Sequence, residues 1–391
     1  MIRNTTAEGT FINLVRSVLN NEKPAPLPEG VKAEELYELG CRQHMATMIL
    51  CGLNMIEPKP ASENWGRYIT LLSAGCMNSE IQMREYRRLV EYLCGNGVRI
   101  IPLKGCVINE LYPSAGLRTM CDVDLLYSGV DTKKLAALME AFGYTTDSLY
   151  STCHDRFHKE NELSVELHRK LIADYSPYRP VLENMFEKAV ADEEIPNLYH
   201  MKPEDLYVHV IAHAAKHFEK SGMGLRPLAD IYLLNQRYKD SWDKEYIDRQ
   251  LGRVHLRKFE AKLNGLACAF FGDEESEVSE EDIQFIFRAG LYGVHHDDSW
   301  TFMRKGGKSQ LAFFLYKIFY PYPVMCEIYP FLKKWPVLLP AMWLYRIADV
   351  LINRRENLGK IAKMKITDED ADYIARVHSS FGLGDCAQWK S

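Results

Sequence analysis

The sequence predicts an α+β fold, a small mixed-sheet core at about residues 85 to 172 flanked by a helical N-terminal part and a larger helical C-terminal part. Three observations predict it. Apolar residues recur every three or four positions outside the middle segment, as in Phe11, Leu14, Val15 and Val18 and again in Leu89, Tyr92 and Leu93, which is the period of a helix with one buried stripe. The short β-branched or alternating runs VRIIPL, DVDLLY and LSVELH all fall between Val98 and His168. At 391 residues the chain exceeds what one core usually serves. The resulting division is 1–84, 85–172 and 173–391.

In chain order, Gly95, Asn96 and Gly97 end the first helical part. VRIIPL then reads as a strand, Lys104-Gly105 as a turn, and the residues up to Pro113 as a brief helix. Beyond a loop holding Gly116, DVDLLY is a second strand; Lys133 to Phe142 is helical and Gly143 ends it. Between Tyr144 and His168 come short runs of alternating character, LSVELH being the clearest strand. Pro203 suits the first turn of a new helix, and Glu204 and Asp205 complement its positive dipole end. From there on the periodicity is helical, without a convincing strand. The acidic run from Gly272 to Asp282 reads as a solvated inter-helix loop. The apolar stretch from Trp335 to Ile352 is interrupted by Arg346 and Asp349, so it reads as a buried helix with no membrane span.

Composition narrows the function classes. With 47% apolar and 26% charged residues the chain is an ordinary globular one. Its 48 basic and 53 acidic residues give a net charge of -5, which excludes a global field drawing it to nucleic acid or anionic lipid. The ten cysteines form no C-x-x-C pair, so neither a zinc knuckle nor a disulfide framework is expected. The first twenty residues lack a secretory pattern, and the expected location is cytoplasmic.

The chemistry lies in the strands. Side chains alternate faces, so Asp122 and Asp124 share one face while Val123 and Leu125 take the other. In LSVELH the same rule turns Val165 and Leu167 inward and Ser164, Glu166 and His168 outward. If the two strands are neighbours, Glu166 joins the aspartates. Three carboxylates converging in a cleft repel one another, and the usual compensation is a divalent cation with oxygen ligands, here Mg²⁺ or Mn²⁺. D-x-D alone is a common tripeptide on exposed strands; the segment before it adds weight. A helix that begins directly after Lys104-Gly105 offers backbone N–H groups and a positive dipole end to a phosphate, and Lys104 and Arg118 add positive charge. Other placements stay open: a surface position for Lys104 and a salt bridge to Asp122 for Arg118.

Further candidates have simpler readings. His209, His213 and His217 share one helix face and, with Asp230, suggest a second metal site, but the neighbouring stripe of Leu206, Val210 and Ala214 favours packing against the sheet domain. Arg226 and Asp230, four apart, read as a pair; His168 reads as support for a ligand or for the acceptor. His154 and His158 lie in an ambiguous segment and carry no expected ligand role. Arg304, Lys305 and Lys308, and Arg354, Arg355, Lys360, Lys363 and Lys365, with Tyr320, Tyr322 and Trp343 near them, fit either RNA contact or solvated helix faces.

The segment IPLKGCVINELYPSAGLRTMCDVDLLY, followed by VELHRKL and HAAKHFEKSGMGLRPLADIYLL, resembles a bacterial family usually called uncharacterised nucleotidyltransferases, within the polymerase-beta-like superfamily. The resemblance covers about residues 35 to 240. It implies a short mixed sheet, a loop glycine at Gly105, a metal pair at Asp122 and Asp124, and a third acid at Glu166. Cys106 stands where the superfamily usually carries Gly or Ser, which leaves no hydroxyl there for a phosphate. The implied reaction is metal-dependent transfer of a nucleoside monophosphate from an NTP to an unknown acceptor, whether small molecule, protein or tRNA. Asp122, Asp124 and Glu166 would hold the metal, and Lys104, Gly105 and Arg118 the triphosphate. The alternatives are a catalytically silent nucleotide-binding or scaffold protein of the same fold, and an RNA-modifying nucleotidyltransferase.

Overall fold

A computed structural model describes residues 5–159, 164–273, 278–289, 315, 318–353 and 368–383. Both basic clusters, Arg304 to Lys308 and Arg354 to Lys365, lie outside the described residues. The N-terminal part folds as α1 (Ala7–Leu19), α2 (Ala33–Arg42), α3 (Ala46–Met55) and α4 (Trp65–Gly95). Thr6 begins α1 by accepting the Gly9 N–H at 3.1 Å, a side-chain cap on an otherwise unpaired amide. The stripe of Phe11, Leu14, Val15 and Val18 is buried as its spacing predicts.

The middle segment supplies β1 (Arg99–Pro102), α5 (Gly105–Ile108), β2 (Val123–Ser128), α6 (Thr132–Ala141), β3 (Thr145–Ser148), β4 (His154–His158) and β5 (Ser164–His168). They form one five-stranded sheet in the order β1-β2-β5-β4-β3. Only β2 and β5 run parallel within it; the other neighbours are antiparallel, so the sheet is mixed as expected. One face is dry. Ile100, Val123, Leu125, Tyr127, Val165 and Leu167 pack there against Leu89, Val90 and Leu93 of α4 and Leu135 and Met139 of α6. Alternation therefore turns Asp124, Glu166 and His168 to the opposite face.

The next elements of the chain cover that second face: α7 (Arg179–Leu182), α8 (Met185–Lys188), the short pair β6 (Val190–Ala191) and β7 (Tyr199–His200), and α9 (Pro203–Ser221). Then come α10 (Arg226–Tyr238), α11 (Lys244–Arg253), α12 (Arg257–Phe271) and α13 (Glu280–Ala289). The helices on both sides of the sheet in sequence share one core, in which Phe11, Leu14 and Ile49 meet Leu228, Phe259, Leu263 and Phe285.

Two expectations need correction. The acidic run was expected as a loop to Asp282, yet Glu280, Glu281 and Asp282 form the first turn of α13, where carboxylates meet the positive helix end. Asp282 is buried and pairs with Lys262 at 2.7 Å; residues 274–277 of that run lie outside the described residues. The Trp335–Ile352 stretch does contain a helix, Leu339–Asn353, but it is not a buried one: Leu344 is 67% and Tyr345 58% exposed. Among the described residues no helix is long and apolar enough to cross a membrane.

Candidate active site

The parallel pairing of β2 with β5 sets Asp124 opposite Glu166 and Leu126 opposite His168. Asp122 stands two residues before Asp124, at the mouth of β2. All three acids line one cavity of about 830 Å³ between the sheet and α9, together with Lys104, Gly105, Arg118, His154 and His168. Burial raises the Asp122 carboxyl above its ordinary value, and the charges of Asp124 and Glu166 raise it further. That response marks carboxylates close enough to repel. Asp124 behaves oppositely. Burial opposes its ionisation, but Lys104 and His168 outweigh burial and hold the carboxyl far below the usual range.

Basic groups already engage two of the acids. Lys104 Nζ donates to Asp124 Oδ2 at 3.1 Å, and His168 Nε2 lies 2.8 Å from Asp124 Oδ1. Arg156 donates to Glu166 Oε1 through Nε at 3.2 Å and Nη2 at 2.9 Å. Lys104 reaches Asp124 from an unusual backbone, φ 30° and ψ -96°, at the junction of β1 and α5. A non-glycine residue held there is strained, and such strain concentrates at functional turns.

The glycine turn is more closed than its sequence suggests. The Cys106 amide donates to the Leu103 carbonyl at 3.2 Å and the Val107 amide to the Lys104 carbonyl at 3.1 Å, so the first turn offers few of the amides expected for a phosphate. Gly105 is required by close approach: a Cβ there would stand 3.0 Å from Nη1 of Arg118. The Cys106 side chain is 1% exposed and packs in the dry core of the sheet, with its thiol pushed up by burial. It faces away from the cavity, so a hydroxyl at this position would not have met a phosphate either.

Arg118 forms a buried bidentate pair with Asp230, Nε to Oδ1 at 2.8 Å and Nη2 to Oδ2 at 2.9 Å, and Tyr112 also donates to Oδ1 at 2.8 Å. This pair takes the place of the Arg118–Asp122 bridge left open by the sequence and of the Arg226–Asp230 pair; Arg226 donates instead to the Thr119 carbonyl at 2.9 Å. The loop before the acids is thereby tied to α10.

The histidines of α9 look toward the sheet. His213 and His217 line the cavity, their rings 4.4 Å apart. Burial, reinforced by Lys104, lowers His209 to about 3, and burial lowers His213 well below its ordinary value. Both are neutral. Asp230, the partner they would need at the less favoured second metal site, pairs with Arg118.

His154, given no ligand role in the sequence reading, is a candidate ligand by geometry. Among the described residues, the metal-competent group whose ligand atoms converge within 4.8 Å is His154, Glu166 and His168. His154 lies directly across from His168 in the antiparallel register of β4 and β5, and burial lowers its pKa. The signal was the alternation of HDRFH, which sets His154 and Arg156 on one face; assigning that face needs the order of the strands.

Among curated proteins none matches this chain at a significant level. It is similar to the crystal structure of an antigenic nucleotidyltransferase-like protein from Paracoccidioides brasiliensis, at 17% identity over 48% of this chain and 93% of that one, with a TM-score of 0.31. It is also similar to the crystal structure of the Megavirus polyadenylate synthase, at 11% identity over 52% of this chain and 45% of that one, with a TM-score of 0.31. The profile of the family described as uncharacterised nucleotidyltransferase matches residues 29–272, a span that includes the sheet, its three acids and the histidines of α9, and it is to this nucleotidyltransferase family that the chain belongs.

Proposed function

We propose that this nucleotidyltransferase transfers a nucleoside monophosphate from an NTP to a hydroxyl or phosphate acceptor, with Mg²⁺ or Mn²⁺ held by Asp122, Asp124 and Glu166. The observation that carries the reading is the in-register pair Asp124–Glu166 on adjacent parallel strands, with Asp122 lining the same cavity. The donor set fits a hard divalent ion: three carboxylates line one cavity, and Asp122 is raised by burial and further by its two acidic neighbours. Such an ion, when bound, neutralises the triphosphate and the leaving pyrophosphate.

The chain's own residues divide the remaining work. Lys104, on its strained turn, is a mobile cation that can leave Asp124 for a phosphate oxygen. Arg118, with Nε and Nη2 given to Asp230, keeps Nη1 beside Gly105 and presents a fixed positive edge where the triphosphate would lie. Glu166 is the acid placed to accept the acceptor's proton, and Arg156 fixes its orientation. The helices from α9 onward cap the cleft and shape the acceptor's site. A reducing, cytoplasmic setting agrees with the nine described cysteines, all free thiols.

The test is calorimetric binding of Mg²⁺-ATP to the native chain and to Asp124→Ala, followed by incubation of each labelled NTP with a cell extract. The expectation is binding lost in the variant, and label passed to one acceptor class by the native chain alone. Equal binding by both proteins would overturn the assignment of Asp124.

A further inference from the structure

We infer that β4 and β5 carry a site for a divalent ion of the Mn²⁺, Co²⁺ and Zn²⁺ class, held by His154 Nε2, Glu166 Oε2 and His168 Nε2, with Asp124 at its edge. Glu166 Oε2 lies 3.5 Å from His154 Nε2 and 3.6 Å from His168 Nε2. Both separations exceed an ordinary N–H···O hydrogen bond of about 2.7–3.2 Å. They match a different geometry: ligand atoms bound at about 2.1 Å to one tetrahedral ion stand about 3.4 Å apart. The three ligand atoms already lie within 4.8 Å of one another, and a bound ion would take the place of the proton that His168 Nε2 shares with Asp124 Oδ1.

The sheet explains why they converge. His154 and His168 are directly opposed across β4 and β5, and Glu166, two residues before His168, takes the neighbouring place on the same face. Parallel β2 brings Asp124 alongside, with Oδ1 2.8 Å from His168 Nε2. Strand β4 is anchored from its other face by Asp155, which is 0% exposed and accepts from Arg169, from the Tyr127 hydroxyl at 3.3 Å and from the Tyr150 amide at 2.6 Å. Arg156 occupies Glu166 Oε1 and so aims Oε2 at the two imidazoles. Ligands preset on rigid strands lose little entropy on binding.

Two imidazoles with a carboxylate are a poor set for Mg²⁺, which keeps to oxygen and water in an octahedron, and a good one for ions that accept nitrogen. The inference shares Glu166 and Asp124 with the proposed transfer site but requires no step of transfer, so either can fail alone.

The test uses the metal-free full chain and Co²⁺ alone. The expected result is one equivalent of Co²⁺ bound with a visible d–d band that survives a roughly hundredfold excess of Mg²⁺. In His154→Ala, shown to be folded by circular dichroism, the affinity should fall about tenfold or more. Asp122→Asn should keep the Co²⁺ band while losing Mg²⁺-ATP binding, which separates this site from the carboxylate one. Displacement of Co²⁺ by the Mg²⁺ excess, or an unchanged band in His154→Ala, would overturn the inference.

Discussion

Asp122, just before β2, and Asp124 within it stand two residues apart and titrate in opposite directions: burial opposes ionisation of both, Lys104 and His168 outweigh it at Asp124, and the charges of Asp124 and Glu166 add to it at Asp122. A carboxyl whose folded value is raised favours unfolding at every pH above that value, because the unfolded chain ionises more readily. For Asp122 this penalty is complete at neutral pH and fades as the pH falls through the raised value toward the unfolded one of about 3.9. Asp124, with a lowered value, contributes stability that is complete above its unfolded value and lost as the pH falls through the folded one. Thermal melts of the metal-free chain near neutral pH should therefore show Asp122→Asn more stable than native and Asp124→Asn less stable. Acidification to about the ordinary carboxylate value should shrink the Asp122 difference, whereas the Asp124 difference should persist there and fall only as the pH drops further. Two variants shifting in the same direction at neutral pH would contradict these electrostatics. This is the pattern of a binding site kept at a cost in stability.

At the scale of elements, the pair of Arg118 with Asp230 joins the loop before β2 to α10 across 112 residues of sequence. Both side chains are buried, at 7% and 6% exposure, so removing one partner strands a charge and costs about 3–5 kcal/mol. Asp230→Ala should lose that much stability in urea denaturation, and the double variant with Arg118→Met should regain part of it. If the double variant is no more stable than Asp230→Ala, the stranded guanidinium is not the cause. Such a pair is invisible to local reading: Arg226, four residues from Asp230, is the partner that helical spacing proposes, and only the packing of α10 on the loop selects Arg118. The same limit applied to His154. Alternation assigned Asp124, Glu166 and His168 to one face correctly, because each of those strands has one apolar flank that fixes its orientation; Asp122, just outside β2, reaches the same cavity from the preceding loop. HDRFH has a mostly polar pattern, and its place beside β5 comes from the sheet order.

Among the described residues two main cores stand out, and the chain crosses between them. One lies under the sheet, against α4 and α6; the other is shared by α1 to α3 with α9 to α13. The helical character of both ends was legible from periodicity, but their union was not, since a stripe specifies that a face is buried and leaves open what buries it. The same blindness explains the exposed helix Leu339–Asn353, whose apolar sequence alone suggested burial. Phe11 tests the union. It is 0% exposed and meets Phe287 edge to face at 5.4 Å between ring centroids, so Phe11→Ala should cost about 3–5 kcal/mol through lost contact and a residual cavity. Because α1 packs on α12 within one core, that loss should speed amide exchange in α12 and α13 as much as in α1 itself. Exchange in β2 and β5, whose protection comes from the other core, should change only where the whole chain unfolds. Faster exchange confined to α1–α3 would mean that the N-terminal helices open as a separate unit, and that the core they share with the C-terminal helices does not act cooperatively.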